Sequence, residues 1–116
     1  MSRHDPLVTL KQLLDFVVEA RSLASGRIRS ELGKEPAFTR ATERLLTLMG
    51  EAAVRLPAEM RATESAVPWS KIIGMRNRVV HDYGHVDFEI VWETVQTHLP
   101  LLFKELEAFF AERGDG

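Results

Sequence analysis

The sequence contains no cysteine, and this absence excludes several kinds of protein at once. A chain without thiols forms no disulfide framework, no thiolate zinc site and no cysteine nucleophile, which fits a reducing compartment. Its apolar runs are only a few residues long, far short of the roughly 20 residues that a membrane-spanning helix needs, and its first residues lack a signal-peptide apolar region. We therefore expect a soluble, cytoplasmic protein with no membrane partner.

A strong net charge is also missing, because 15 Lys and Arg oppose 17 Asp and Glu, leaving −2. The average hides an asymmetry. Residues 1–80 carry 13 basic and 9 acidic side chains, a net +4, whereas residues 81–116 carry 2 and 8, a net −6. Composition alone does not nominate an RNA-binding protein. A basic site has to be local, and Lys71, Arg76 and Arg78 cluster just before the charge boundary.

Signals for β-strands are scarce as well. No segment alternates strictly between apolar and polar residues over the length of a strand, and no Asn-Gly or Asp-Gly pair joins two apolar runs. Helical periodicity is present instead, in four segments. We predict helices from about Pro6 to Ala24 with Asp5 as N-cap, from Pro36 to a point before Pro57, from Pro68 to about Tyr83, and from the N-cap Asp87 through the aromatic-rich C-terminal part, which Pro100 should kink or divide.

With 116 residues the chain can build one hydrophobic core but not two. We predict a single domain over residues 1–116, an all-α antiparallel four-helix bundle with short helical turns in the connectors at 27–36 and 57–67. The aromatic residues of the last helix exceed what one small bundle covers, which favours a homodimer. Five aromatic residues are accordingly interpreted as core or dimer interface rather than as a platform for stacking bases: Trp69, Trp92, Phe103, Phe109 and Phe110.

Polar residues concentrate at the C-terminal end of the third predicted helix, in the order Arg76, Asn77, Arg78, His81 and Tyr83. A helix turns by about 100° per residue, so Asn77 and His81 share a face whereas Arg76 lies about 140° from His81. Arg76 and His81 act together only if their side chains converge on a cleft or a second protomer completes the site.

This set of side chains suits phosphodiester chemistry. A histidine of near-neutral pKa takes a proton from a ribose 2′-hydroxyl or gives one to a leaving oxygen, and an arginine binds phosphate through two hydrogen bonds. Neither role requires a metal. The need for a 2′-hydroxyl favours RNA over DNA as the substrate.

The spacing Arg76-x4-His81-x-Tyr83, within GMRNRVVHDY, resembles the R-x4-6-H motif of HEPN-domain ribonucleases, and in particular the R-x4-H-x-Y form of the HepT toxins. The likeness includes Pro68-Trp69 and residues 73–77, 86–87, 89–92 and 50–52, so that it covers nearly the whole chain. It departs at Gly84-His85, where we expect relatives to carry an aromatic residue followed by glycine, and we therefore expect a different local turn beside Tyr83.

The resemblance implies an all-helical HEPN bundle in a two-fold homodimer, whose shared cleft cuts RNA without metal or other cofactor. Arg76 would bind the scissile phosphate and His81 would act as acid or base. Asn77 and Arg78 would support substrate binding. The resemblance also implies a toxin of a type VII toxin–antitoxin pair. Its MntA-like nucleotidyltransferase antitoxin would neutralise it by transferring AMP from ATP, with Mg²⁺, to Tyr83.

Other interpretations stay open. Arg78 is spaced to pair with Asp82 as readily as to bind an RNA phosphate. A metal pair of His81 and His85 is disfavoured, because Gly84 should end the helix between them and no third ligand is evident. The whole domain could also be a non-cleaving HEPN module that docks a nucleotidyltransferase and helps to bind its nucleotide or substrate, or a structural adaptor with a fortuitous motif.

Overall fold

The computed structural model describes residues 5–63, 67–81 and 87–113, with residue 63 and residues 76–81 described through their backbone only. Every regular element in these ranges is helical. In chain order they are α1 (Pro6–Ala24), a 3₁₀ turn (Arg29–Glu31), α2 (Pro36–Arg55), α3 (Ala58–Thr63), α4 (Trp69–His81), α5 (Phe88–Glu93), a π-helical segment (Thr94–His98) and α6 (Leu99–Glu112).

Four long helical stretches form the bundle: α1, α2, α4 and the continuous run from α5 to α6. Helix α2 packs against both α1 and α4, and α1 also packs against α6. The core is filled from all four stretches by side chains that are almost completely buried, among them Leu13, Met49, Ile72 and Leu102. The prediction of an all-α helical bundle is therefore confirmed. The two-fold dimer remains a prediction.

The local signals that marked the helix ends act as expected. Oδ1 of Asp5 accepts a hydrogen bond from the backbone N–H of Leu7 at 2.9 Å, with Pro6 in the first turn of α1. The connector between α1 and α2 contains the expected single turn, and the connector after α2 contains α3. None of the described helices combines the length and apolar composition needed to cross a membrane.

Pro100 disturbs the last helix without ending it. Its ring nitrogen has no hydrogen to donate, so a regular helix would lose a hydrogen bond and place the ring against the carbonyl four residues earlier. The chain widens into a π-helical turn immediately before it, where the backbone N–H of Leu99 donates to the carbonyl of Thr94, five residues back. The hydroxyl of Thr94 donates to the carbonyl of Ile90 at 2.9 Å. The helix therefore continues through Pro100 rather than ending there.

The connector before α2 holds the first residues of α5. Gly33 has a φ of +91°, and a Cβ built on it would lie 2.8 Å from Cε2 of Phe88. Its N–H donates to Oγ1 of Thr39 at 2.8 Å. The guanidinium of Arg29 lies 5.9 Å from the Phe88 ring centre, and its Nε is 3.0 Å from a carboxylate oxygen of Glu89. The connector between α1 and α2 therefore packs closely against the start of α5. This close approach requires glycine at position 33.

We expect Gly33→Ala to destabilise the fold more than Gly26→Ala, the matched control. Both glycines have positive φ, so both substitutions incur the strain of a left-handed residue, about 1–2 kcal/mol. Only Gly33 adds a clash with Phe88, because a Cβ at Gly26 meets no described atom within 4 Å. Overpacking of this kind adds about 1–3 kcal/mol. Urea unfolding measures the difference, and equal losses in the two variants would contradict the proposed contact.

Candidate functional site

The predicted catalytic residues lie on the last two turns of α4. The backbone of this helix is regular from Trp69 to His81 and includes positions 76, 77, 78 and 81. Tyr83, the predicted AMP acceptor, falls outside the described residues, as do its neighbours at 82 and 84–86. The structure thus brings Arg76, Asn77, Arg78 and His81 onto one short length of helix, while the placement of Tyr83 stays a prediction.

Helical register separates the two residues expected to be catalytic. Position 76 follows Trp69 by seven residues and Ile72 by four, and both of those side chains are buried in the core. Position 81 follows Gly74 by seven residues, which is about 20° around the axis and about 10.5 Å along it. Since α4 has no break, positions 76 and 81 belong to different faces of the helix. A single α4 therefore does not align Arg76 and His81 on one face.

After the segment that carries Tyr83, Asp87 caps the N-terminus of α5. Oδ1 of Asp87 accepts from the backbone N–H of Glu89 at 3.0 Å and of Ile90 at 3.4 Å. Arg29 and Phe88 tie the same helix start to the first connector. In the sequence, α4 therefore precedes the segment that carries Tyr83 and α5 follows it. The start of α5 is held by the Asp87 cap and by the contacts of Arg29 with Phe88 and Glu89.

A cavity of about 170 Å³ lies between α4 and the π-helical segment. Lys71, Gly74 and Met75 line it from α4, so it borders the position just before Arg76. Its remaining wall comes from the last helix and is mixed in character. Ile90 is apolar, whereas Glu93, Thr94 and His98 are polar.

His98 is the residue of this cavity for which the sequence offered no interpretation. Its Nδ1 is buried and has no hydrogen-bond partner among the described residues. Burial lowers the pKa of His98 below its usual 6.5, the nearby carboxylate of Glu93 raises it in part, and the ammonium of Lys71 lowers it further. The imidazole is therefore largely neutral at pH 7. Pro100, two residues later, was the one signal in the sequence for an unusual helical turn here.

No group of three or more His, Asp or Glu side chains in the described part of the chain is placed to hold a metal ion. The pair His81 and His85 lies outside the side chains that the structure describes. Trp69 and Phe110 are buried in the core, and Trp92, Phe103 and Phe109 pack partly buried against it. Two of these rings are therefore core residues and three lie at the edge of the core, which agrees with the interpretation of this set as core or interface.

The pKa of His98 should respond in opposite directions to its two charged neighbours. Glu93→Gln removes the carboxylate that raises it, so the pKa should fall further, and Lys71→Gln removes the cation that lowers it, so the pKa should rise. NMR titration of the imidazole resonances measures both shifts. His98→Gln identifies the signal of this residue among the four histidines. Shifts in the same direction would contradict the geometry of the cavity.

A lowered histidine pKa also fixes the sign of a pH effect on stability. Well above pH 6.5 the imidazole is neutral in both the folded and the unfolded state. As the pH falls below that value, the unfolded chain binds the proton more readily, so the free energy of unfolding decreases. His98→Gln should make this decrease shallower between pH 7 and pH 5 in urea-unfolding measurements.

Comparison with known proteins places the chain among ribonucleases. Residues 13–109 match the family model described as "Ribonuclease HepT-like". A protein of Caldanaerobacter subterraneus subsp. tengcongensis named "Putative RNase" is 43% identical over 96 residues, which is 83% of each chain. The "Probable ribonuclease HepT" of Thermococcus cleftensis is 31% identical over 67 residues, 58% of this chain and 61% of the other. No solved structure gave a significant match. The chain belongs to the HepT-like ribonuclease family.

Proposed function

We propose that this protein is a metal-independent RNA endonuclease in which Arg76 and His81 perform the reaction at the interface of a two-fold dimer. The observation that carries the proposal is the placement of both residues on the last two turns of α4 in a member of the HepT-like ribonuclease family. Helix α4 buries its other end in the core through Trp69 and Ile72, which gives these positions a rigid support.

The register of α4 supports the proposed dimer. Positions 76 and 81 lie about 140° apart, so within one protomer both residues reach one phosphate only if their long side chains converge. A two-fold axis beside α4 places a second copy opposite the first, and the Arg76 of one protomer then complements the His81 of its partner.

The reaction needs one proton removed and one proton supplied. A neutral His81 takes the proton from a ribose 2′-hydroxyl as the 2′-oxygen attacks phosphorus. The bond from phosphorus to the 5′-oxygen breaks, and a protonated His81 of the second protomer gives that oxygen a proton. Arg76 binds the phosphate and offsets its charge in the transition state. The products are a 2′,3′-cyclic phosphate and a 5′-hydroxyl, and Asn77 and Arg78 support substrate binding.

Purified protein should cut RNA in the presence of EDTA. His81→Ala should lower the rate by about 10²-fold or more, the usual contribution of a general acid or base. Arg76→Ala should lower it by a similar factor through lost electrostatic stabilisation. Arg44→Ala, an exposed arginine of α2, is the matched control and should cleave at the wild-type rate. Rates are followed by gel analysis of labelled RNA.

A single 2′-deoxy nucleotide at the cleaved position should block the reaction, since it removes the attacking oxygen. Intact RNA with the wild-type protein, or wild-type rates in both His81→Ala and Arg76→Ala, would contradict the proposal. The first result would favour a HEPN module that binds without cleaving.

We further propose that the protein is the toxin of a toxin–antitoxin pair, with an MntA-like nucleotidyltransferase as antitoxin. That partner would use ATP and Mg²⁺ to transfer AMP to the phenol oxygen of Tyr83. The modification would bring bulk and negative charge two residues from His81 and oppose the entry of RNA. Residues 81–116 carry a net charge of −6, and exposed carboxylates of α6, at Glu107 and Glu112, are available for contact with this partner.

Tyr83 is the only tyrosine in the sequence, so no other phenol of this chain could accept the AMP group. Incubation with the nucleotidyltransferase and ATP–Mg²⁺ should raise the intact mass of the wild type and of the Arg44→Ala control by whole AMP units, and the modified protein should lose RNA cleavage. Tyr83→Phe should gain no mass. An equal gain in Tyr83→Phe would exclude this acceptor.

A further inference from the structure

The cavity beside α4 has the features of a ligand site that the catalytic role of Arg76 and His81 does not use. It is about 170 Å³ in volume, with apolar walls at Met75 and Ile90 and polar groups at Lys71, Glu93 and His98. We infer that it receives one nucleobase of the RNA substrate, next to the cleaved phosphate, and that it prefers bases carrying an exocyclic amine over uracil. This inference rests on the proposed function.

Gly74 is the first observation that carries the inference. Glycine inside a helix costs about 1 kcal/mol relative to alanine. In α4 no described atom lies within 4 Å of the position a Cβ would take, so packing in this part of the chain does not require the glycine. A side chain there would project into the cavity that Gly74 lines. The glycine is explained if its function is to leave that space open.

His98 is the second observation. Its Nδ1 is buried without a hydrogen-bond partner among the described residues, although buried polar atoms are nearly always paired. The π-helical segment ends at His98, and π-helical turns are frequent at functional sites. The side chain of His98 lines the cavity, and a rotation of its imidazole ring would turn Nδ1 toward the polar edge of a ligand there.

Position along α4 identifies the ligand as part of the RNA. Gly74 is aligned with position 81 and about 10.5 Å from it along the axis, which is close enough for a nucleotide adjacent to the cleaved phosphate. Position 78 lies on the same face, four residues after Gly74 and three after Met75. An RNA strand that follows this face passes from the cavity to Arg78 and then to His81.

The polar groups of the cavity determine which base fits. The carboxylate of Glu93 only accepts hydrogen bonds, so it favours a base whose pairing edge carries an amine, as in adenine, cytosine and guanine. Uracil has no such amine: its pairing edge offers a single N3–H between two carbonyl oxygens, which the carboxylate repels. Lys71 supplies the positive charge that suits a flanking phosphate, while Met75 and Ile90 offer apolar contact to the face of the base.

Binding of short RNAs that resist cleavage tests the inference separately from catalysis. Tetranucleotides with 2′-O-methyl groups throughout, differing at one base, are titrated against the full chain by fluorescence anisotropy. The wild type should discriminate against uracil at one position by about fivefold or more, in line with one good base contact. Gly74→Leu, which fills the cavity, and His98→Ala should each abolish this preference.

Two further variants sharpen the test. Glu93→Gln should improve the binding of the uracil RNA, because an amide also donates hydrogen bonds. Gln96→Ala is the matched control: it changes an exposed residue of the same π-helical segment that borders a different groove, with Arg21 and Pro100, and it should keep the preference. Urea unfolding establishes that each variant is folded. If Gly74→Leu does not fold, the loss of base preference is tested with folded His98→Ala alone.

The outcomes separate the inference from the proposed function. Base preference in a wild type that cleaves nothing would refute the endonuclease and uphold the base site. Cleavage without base preference, or a preference unchanged in folded Gly74→Leu or His98→Ala, would overturn the base site. Light scattering could also show a change of oligomeric state in Gly74→Leu with no loss of base preference. That result would assign the cavity to a contact between proteins and would likewise overturn the base site.

Discussion

The packing of α4 against α2 is the constraint on which the rest of the molecule depends. Trp69, Ile72 and Met75 are buried on one side of α4, and each such side chain stabilises the fold by about 1.5–3 kcal/mol relative to an exposed one. This burial fixes the rotation of α4 about its own axis. Every later position on the helix then has a determined face, including 76, 78 and 81. The same packing that holds the bundle together therefore decides which residues are available for chemistry.

A second constraint comes from Pro100, which lies outside the motif but changes what faces α4. The widened turn before the proline spans Thr94 to His98, and both of these residues line the cavity beside Gly74. The chain thus combines a regular helix, which carries the residues for catalysis, with an irregular one, which shapes the space next to them.

Much of the fold follows from the sequence because its signals are local. Asp5 with Pro6 and the lone Asp87 mark helix starts, and each cap forms with the neighbouring backbone N–H groups. The π-helical turn could not be predicted in the same way, since Pro100 predicts a disturbance but not its form. The cavity depends on Lys71 and His98, 27 positions apart in the sequence, meeting across two helices. The sequence motif predicts candidate residues, while their partners in space come only from packing.

The register of α4 bears on how so short a motif would act. Arg76 and His81 are five positions apart, and on a straight helix this spacing places them on different faces whatever their chemistry. Helix α4 is regular through position 81, so within one protomer the two residues would meet only if their long side chains converge on a cleft. In the proposed two-fold dimer, Arg76 of one copy would instead complement His81 of the other. The burial that fixes α4 thereby supports the proposed dimer, and the line from Gly74 to position 81 is the face along which a substrate strand would lie.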